Sequence, residues 1–384
     1  MTTDAQRLIR QQRATRLLFL LVGAAVAAWA AIVPQAQARA GVDAAGLGLL
    51  LLCLGAGSIM TMPLAGALCA RLGCRAVLAA ATVLIVGSLP LLSLAASPAA
   101  LGATLFVFGC GVGALDCAVN LQAVLVEQAS GRPMMSGFHA YYSLGGIVGA
   151  AGMSAAMSLG AGAVGAMAAA AGLLALTGLA SWGGMLAQGG QRSGPAFALP
   201  HGPVLFIGVL AFVMFLAEGA MLDWSAVFLT QVQGLPEARA GLGYAVFALA
   251  MTLGRFGGDA MVRALSPRAV VVFGALLAAH GIAISVAWPV WQLSLLGQAV
   301  LGFGAANVVP VLFSLAARQG GAVPGAAIAA VSTLGYAGVL CGPAGIGLLA
   351  HHTGLRAALL ALAAAVAVVG LAAVALRVPA RGQA

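Results

Sequence analysis

The sequence contains no lysine: all 17 of its basic residues are arginine, and only 8 residues are acidic. Charged residues make up 7% of the 384 residues and hydrophobic residues 62%, with a mean hydropathy of +1.09. So few polar groups cannot cover a water-soluble globule, which excludes a soluble class. The missing lysine also excludes a Walker-type phosphate loop and with it an ATP-driven pump. The net charge is +9, but the basic residues form no stripe with interleaved aromatics, which argues against nucleic acid as a partner.

The sequence also lacks the patterns of a metal site or an enzyme active site. Its cysteines lie in or beside apolar runs without metal-ligand or redox spacing, and we interpret them as packing residues. No paired-histidine metal motif and no Ser/Lys or Ser/His pair at helical spacing is present. We therefore expect no metal, no cofactor and no enzymatic activity.

What the sequence does contain is long apolar runs, each near the ~20 residues that span a bilayer as a helix. We count twelve, which predicts an all-α integral membrane protein. They cover roughly residues 15–34, 46–69, 76–96, 99–125, 136–159, 162–186, 203–230, 240–262, 269–288, 292–316, 325–349 and 356–377.

The positions of the arginines predict the orientation of these spans. With a cytoplasmic N-terminus, every arginine except Arg39, Arg239 and Arg356 falls on the cytoplasmic side. This asymmetry is the positive-inside pattern, and it predicts a multi-pass protein of a bacterial inner membrane with both termini in the cytoplasm. The first apolar run is similar to a cleavable signal peptide. We interpret it as a retained first helix because it takes part in an internal repeat.

The repeat relates the second half of the chain to the first with an offset that drifts from 195 to 190 residues. Matched pairs are Trp29 with Trp224, Arg71 with Arg263, Asp116 with Asn307, and Pro133 with Pro324. Two parallel six-helix halves are typical of one large transporter class, with the solute site near the middle of the membrane. We predict a six-helix half over residues 1–187, a cytoplasmic linker over 188–202 and a second six-helix half over 203–384.

Asp116 is a candidate proton carrier because ionisable groups within a span are costly and mark functional sites. It lies past the middle of the fourth run, and Asn120 and Glu127 share its helix face at i+4 and i+11. A carboxylate there can take a proton from one side of the membrane and release it to the other. The alternative is a static hydrogen bond to a neighbouring helix. The repeat partner Asn307 is neutral and can bind a polar solute, but it carries no charge.

Glu218, in the seventh run, is a rival proton carrier. Asp223 and Trp224 lie one to two turns farther along and either bind solute or mark the outer interface. The matching Trp29 supports a pair of aromatics that stack on a sugar-like solute. His139 and Tyr142 in the fifth run are further solute-binding candidates, although interfacial hydrogen bonding or packing is the commoner role for such residues.

Two loop motifs resemble those of the major facilitator superfamily. Gly66-Ala67-Leu68-Cys69-Ala70-Arg71-Leu72-Gly73-Cys74-Arg75 resembles its cytoplasmic signature, and Gly254-Arg255-Phe256-Gly257-Gly258-Asp259 resembles the second copy. The resemblance implies twelve helices in two six-helix halves and a cytoplasmic gate, for which the candidates are Arg71, Arg75, Glu127, Arg255, Asp259 and Arg263. Ala70 replaces the usual aspartate, so Asp259 with Arg255 or Arg263 is the candidate carboxylate–arginine latch.

Further strings, among them Ser136-Gly137-Phe138-His139 and Asp223-Trp224-Ser225, resemble a branch of bacterial facilitators distantly akin to fucose:proton symporters. In those symporters a helix-4 carboxylate takes part in proton coupling, and Asp116 resembles it. The expected function is proton-coupled uptake of a sugar-like or other small polar metabolite by a monomer that works by alternating access. Proton-driven efflux of an amphipathic drug is the alternative. A receptor that no longer transports, or an intramembrane enzyme, is a more remote one.

Overall fold

The computed structural model describes residues 3–189, 202–236, 239, 241–319 and 324–378, and within them it contains helices and no β-strand. The helices before the predicted linker are α1 (Thr3–Ala40), α2 (Ala44–Leu72), α3 (Cys74–Leu94), α4 (Pro98–Ser130), α5 (Met135–Ser158) and α6 (Gly162–Ser181). Those after it are α7 (Gly202–Val227), α8 (Leu242–Ala264), α9 (Pro267–Ala287), α10 (Trp291–Ala305), α11 (Val308–Gln319), α12 (Pro324–Thr353) and α13 (Leu355–Ala372). A π-helical turn, Phe228–Val232, extends α7.

The ends of α4 show how local sequence sets a helix boundary. The Ser97 side chain accepts a hydrogen bond from the backbone N–H of Ala100, and Pro98 occupies the first turn, where a missing N–H costs nothing. At the other end Gly131 adopts φ +62°, a left-handed conformation that glycine reaches without strain. The helix therefore starts and stops where its sequence dictates.

The all-helical prediction is confirmed. Within the described ranges, eleven helical segments are long and apolar enough to cross a bilayer, with α10 and α11 counted together as Trp291–Gln319. The remaining segment is α5, whose first two turns carry Ser136, His139, Tyr141 and Tyr142 and lower its hydropathy. Counting α5, the twelve predicted segments are all helical.

The predicted tenth span is interrupted between α10 and α11, at Ala306 and Asn307. The cause is Pro310, which has no N–H to donate to the carbonyl of Ala306 four residues earlier. Irregular backbone at membrane depth requires other protein groups to satisfy the freed polar atoms. The tenth apolar run predicts one continuous helix over 292–316, whereas the structure divides it into α10 and α11.

Glycines allow the helices to pack closely, as expected for membrane helices. A Cβ atom at Gly145 of α5 would collide with the backbone of Leu20 on α1, and one at Gly338 of α12 would collide with the backbone of Phe212 on α7. The fifth and eleventh predicted spans thus use the same device against the first and seventh.

The chain divides into two compact units, which are described separately. Unit 1 comprises Met1–Gly131, Tyr141–Leu199 and Ala322–Ala329, and unit 2 comprises Arg132–Ala140, Pro200–Gly321 and Ala330–Ala384. The start of α5 thus belongs to unit 2 and the start of α12 to unit 1. Residues 190–201, most of the predicted linker, lie outside the described residues, and the predicted boundaries of the halves stay a prediction.

The segment that precedes those residues is attached to the turn between α2 and α3. The Arg75 guanidinium donates to the carbonyl of Met185 through Nε at 3.2 Å and Nη2 at 2.9 Å, and it lies 5.5 Å from the ring centroid of Trp182. The backbone N–H of Leu186 donates to Oε1 of Gln122, on α4, at 2.9 Å. These contacts fix the end of the α6 segment against unit 1.

Arg75→Ala is therefore expected to destabilise unit 1 by about 2 kcal/mol, the typical value of a charge-assisted hydrogen bond together with a cation–π contact. Thermal unfolding of the purified protein in detergent measures the effect. The control is Arg13→Ala, which removes an exposed arginine of α1. Equal melting temperatures of the two variants would show that the Arg75 contacts add no stability.

Candidate functional site

The candidate site of unit 1 is centred on Asp116, about 27 Å along α4 at 1.5 Å per residue. Its side chain is half-buried, and its carboxylate has no ion pair or hydrogen bond among the described residues. Asn120, one turn later, is fully buried and donates through Nδ2 to the backbone carbonyl of Asp116 at 2.9 Å. A charge at this depth costs about 2.5–3.5 kcal/mol on insertion scales, and protonation of Asp116 removes that cost.

The other candidates in unit 1 are spread over several helices. Glu127 lies on α4 and is 4% exposed, and Trp29 lies on α1 and is also 4% exposed, within the packed interior. Tyr142 of α5 is half-buried, and its backbone carbonyl lies against Gly23. Arg71, at the end of α2, is exposed. Asn120 is thus the predicted residue that the structure brings next to Asp116.

The candidate site of unit 2 contains an ion pair between adjacent helices. Nη2 of Arg255, on α8, lies 3.8 Å from Oε1 of Glu218, on α7. The arginine side chain is 8% exposed and the glutamate side chain 32%. Charge-assisted hydrogen bonds are about 2.7–2.9 Å long, so this contact is an ion pair without a tight hydrogen bond.

Arg255 also satisfies the backbone at the break between α10 and α11. Its Nε donates to the carbonyl of Ala306 at 3.4 Å, which is the carbonyl that Pro310 leaves without an intrahelical donor. The next residue, Asn307, donates through Nδ2 to the carbonyl of Gly254 at 3.0 Å. The broken span is therefore fastened to α8 at two successive residues.

Two buried oxygens lie beside these two hydrogen bonds. Oδ1 of Asn307 and Oγ of Ser136, the latter at the start of α5, have no hydrogen-bond partner among the described residues. Both side chains lie against Gly258 of α8, where a Cβ atom would collide with each of them. Buried polar atoms are normally hydrogen-bonded, so this pair marks a place suited to a bound polar group or water.

The start of α5 also contacts Asp259 of α8. Oδ2 of Asp259 accepts a hydrogen bond from the backbone N–H of Gly137 at 3.1 Å. That N–H is one of the first four of α5, which have no intrahelical acceptor and carry the positive end of the helix dipole. His139, one turn into the helix, stacks on Phe313 of α11 with ring centroids 5.9 Å apart. Arg263, near the end of α8, is exposed.

The last two candidates lie farther along α7. Asp223 is exposed. Nε1 of Trp224 donates to the carbonyl of Pro343 on α12 at 3.2 Å, and its ring lies against Gly347 of the same helix. These contacts give Trp224 a fixed orientation. In the part of the chain that the structure describes, no cluster of three or more His, Cys, Asp or Glu side chains could hold a metal ion.

Comparison with known proteins decides the family. An uncharacterised MFS-type transporter of Yersinia pestis is 49% identical over 351 residues, which cover 91% of each chain. The chain belongs to the major facilitator superfamily. No family profile matches it. Among solved structures it is similar to the Escherichia coli fucose:proton symporter FucP, with a TM-score of 0.79, 17% identity, and coverage of 97% of this chain and 100% of that one. It is also similar to the human organic anion transporter MFSD10, with a TM-score of 0.75, 17% identity and the same coverage.

The two halves of this facilitator differ in the charges they carry. At the repeat offsets that match Trp29 with Trp224 and Arg71 with Arg263, Glu218 corresponds to Gly23 and Arg255 to Pro63. The ion pair therefore has no counterpart in the first half. Conversely, Asp116 lies in the unbroken helix α4, whereas its counterpart Asn307 lies at the break between α10 and α11.

The sequence patterns indicate separate roles for Glu218 and Arg255 and do not pair them. Their separation of 37 residues carries no periodic signal, because the two residues lie on different helices. The position of Arg255 well inside an apolar run was the available clue, since a buried arginine needs a partner. The break at Ala306 was signalled by Pro310, four residues downstream.

Proposed function

We propose that this facilitator is a proton-coupled importer of a small polar solute. The observation that carries the proposal is Asp116, a half-buried carboxylate deep in α4 with no ion pair or hydrogen bond among the described residues. A group without a fixed countercharge can change its protonation state at low cost in structure. Glu218 faces Arg255 in an ion pair, whereas Asp116 has no such countercharge among the described residues, so Asp116 is the stronger candidate for the proton.

The proposal includes an inner-membrane protein that works as a monomer by alternating access, with both termini in the cytoplasm. The arginine asymmetry supports the orientation. Membership of a transporter family supports transport over receptor or enzyme roles. The similarity to FucP, a fucose:proton symporter, supports coupling to protons.

Uptake into proteoliposomes tests the proposal. An inward-directed pH gradient of one unit stores about 1.4 kcal/mol per proton and supports roughly tenfold accumulation of a co-transported solute. We expect gradient-driven accumulation of at least one member of a panel of labelled sugars and organic acids, and its loss when a protonophore collapses the gradient. Accumulation that needs the opposite gradient would indicate efflux instead. Counterflow without any response to pH would contradict proton coupling.

We further propose that Asp259 belongs to the cytoplasmic gate, together with Arg71, Arg75, Glu127 and Arg263. The contact from Asp259 to the N-terminus of α5 at Gly137 supports this assignment, because a carboxylate stabilises the positive end of a helix. A carboxylate that must release and retake this N–H in each transport cycle would control the rate of the cycle and leave the solute site unaltered.

Asp259→Ala is therefore expected to slow uptake about tenfold, the equivalent of ~1.4 kcal/mol for a partly buried helix-dipole contact. Solute binding by the purified protein should change less than about twofold. The control is Asp43→Ala, since the exposed Asp43 accepts a first-turn N–H of α2, from Gly46 at 2.7 Å. Equal uptake by the two variants would remove Asp259 from the gate.

A further inference from the structure

The ion pair in unit 2 places a cation where a membrane protein rarely keeps one. Arg255 lies near the middle of α8 with a side chain that is 8% exposed. An arginine at such a depth is costly and persists when it faces partners that serve a function. Its Nε is directed to the backbone carbonyl of Ala306, so this edge of the guanidinium is committed to the helix break. The Nη2 side faces Glu218.

The two members of the ion pair differ in how easily each side chain can leave the contact. Glu218 is 32% exposed, four times the exposed fraction of its partner, and its contact at 3.8 Å is long for an arginine–carboxylate pair. Glu218 is the more exposed member and has space to turn away, whereas Nε of Arg255 donates to the carbonyl of Ala306. The carboxylate is therefore the exchangeable member of the pair.

We propose that Arg255 binds the carboxylate of the transported solute, in the place that Glu218 holds when the site is empty. The solute is thus a small organic acid. This inference rests on the proposed function, because it names the solute class of that importer. Glu218 acts as an internal competitor that neutralises the buried arginine between transport cycles and is displaced when the solute arrives.

The chemistry of the site favours a carboxylate over other charged groups. Nη2 of Arg255, which faces Glu218, is a charged N–H donor that suits a carboxylate oxygen. A phosphate monoester carries nearly two negative charges at neutral pH, whereas the single positive charge of Arg255 matches the one negative charge of a carboxylate. A cationic solute would meet Arg255 as a like charge.

The neighbouring polar atoms suit a hydroxylated acid. Asn307, adjacent to Ala306, and Ser136 carry buried oxygens without a hydrogen-bond partner among the described residues. A solute hydroxyl can donate to the Asn307 oxygen, and the Ser136 hydroxyl can donate in return. These atoms lie against Gly258, three residues after Arg255 on the same helix. A single ligand could therefore engage both the arginine and this oxygen pair.

The test is equilibrium binding to the purified protein, with probes in matched charged and neutral pairs. Gluconate is compared with glucitol, lactate with lactamide, and glycerate with glycerol, by thermal shift and by competition against whichever acid binds. We expect wild type to bind at least one acid about tenfold or more tightly than its neutral partner, as a single charge-assisted contact implies. Neutral partners that bind as tightly as the acids, or no binding of any acid, would overturn the proposal.

Three variants assign the binding to the named residues. Arg255→Gln should lose the preference for the acid by roughly 10- to 100-fold, and Glu218→Gln should bind the acid more tightly than wild type because the competitor is gone. Arg356→Gln is the matched control, since Arg356 is half-buried and donates to a backbone carbonyl, that of Ala287, at the same 3.4 Å in an exposed contact. Persistence of the acid preference in Arg255→Gln would overturn the assignment. Glu218→Gln leaves Arg255 in place and keeps the test decisive if Arg255→Gln fails to fold.

Binding and transport fail independently in this design. Acid binding without gradient-driven uptake would sustain the role of Arg255 and contradict the proposed proton-coupled import. Gradient-driven uptake of glucitol or another neutral solute, with no acid preference in binding, would sustain proton coupling and overturn the organic-acid inference.

Discussion

Asp116→Asn is expected to abolish gradient-driven accumulation of the solute while leaving exchange of solute across the membrane intact. Asparagine keeps the size and polarity of the side chain but carries no proton, so solute movement loses its link to the pH gradient. At a gradient of one pH unit the internal-to-external ratio should fall from about ten to about one. Labelled uptake and counterflow in proteoliposomes, measured on the same preparation, distinguish loss of coupling from loss of transport.

The control for this result is Asp4→Asn, which removes an exposed carboxylate in the first turn of α1. It should accumulate solute as wild type does. Glu218→Gln tests the rival carrier under the same gradient and is expected to retain accumulation. Full accumulation by Asp116→Asn would refute its role, and loss of accumulation in Glu218→Gln alone would transfer the proton to Glu218.

The second large effect is expected at the contact between α9 and α10. A Cβ atom at Gly281 would meet the backbone of Gly297 and Leu301, and one at Gly297 would meet the backbone of Gly281 and Ser285. Backbone atoms of two packed helices cannot move aside individually, so an added methyl group forces the helices apart. Each Gly→Ala substitution here should destabilise the protein by about 1–3 kcal/mol, the usual cost of overpacking.

Gly87→Ala is the matched control for that effect, because Gly87 lies inside α3 with no atom within 4 Å of an added Cβ. Alanine should stabilise this helix slightly, since glycine costs about 1 kcal/mol in a helix interior. The fraction of monodisperse protein that survives heating in detergent measures all three variants. A Gly281→Ala protein as stable as Gly87→Ala would mean that α9 and α10 approach less closely than described. Gly281→Leu should prevent recovery of folded protein.

Much of the fold followed from sequence because a bilayer limits the choices. Every backbone polar group in hydrocarbon must be bonded within its own segment, so an apolar run near ~20 residues long is a helix. The repeat then gave the correspondence between Asp116 and Asn307. The break at Ala306 was not predicted, because hydropathy measures side chains and does not register the hydrogen bond that Pro310 removes.

The candidate site was predicted unevenly for a similar reason. Asp116 and Asn120 lie four residues apart on one helix, so periodicity alone placed them together. The contact from Gly137 to Asp259 joins residues 122 positions apart, and the motif resemblance identified Asp259 without identifying the helix end that it would meet. The orientation of Trp224 toward Pro343 likewise depends on where α12 lies.

The sequence by itself determined that the chain lies in a bilayer, how many helical segments it forms, which positions repeat, and how far Asp116 lies along its helix. Each of these depends on composition or on spacing along the chain. Only the tertiary structure decided that Arg255 pairs with Glu218 and closes the break beside Asn307. Those contacts depend on how α7, α8, α10 and α11 pack against one another. Packing between helices is set by the shapes of their whole surfaces. Glycines such as Gly254 and Gly258 shape these surfaces, although they contribute no side chain to a sequence pattern.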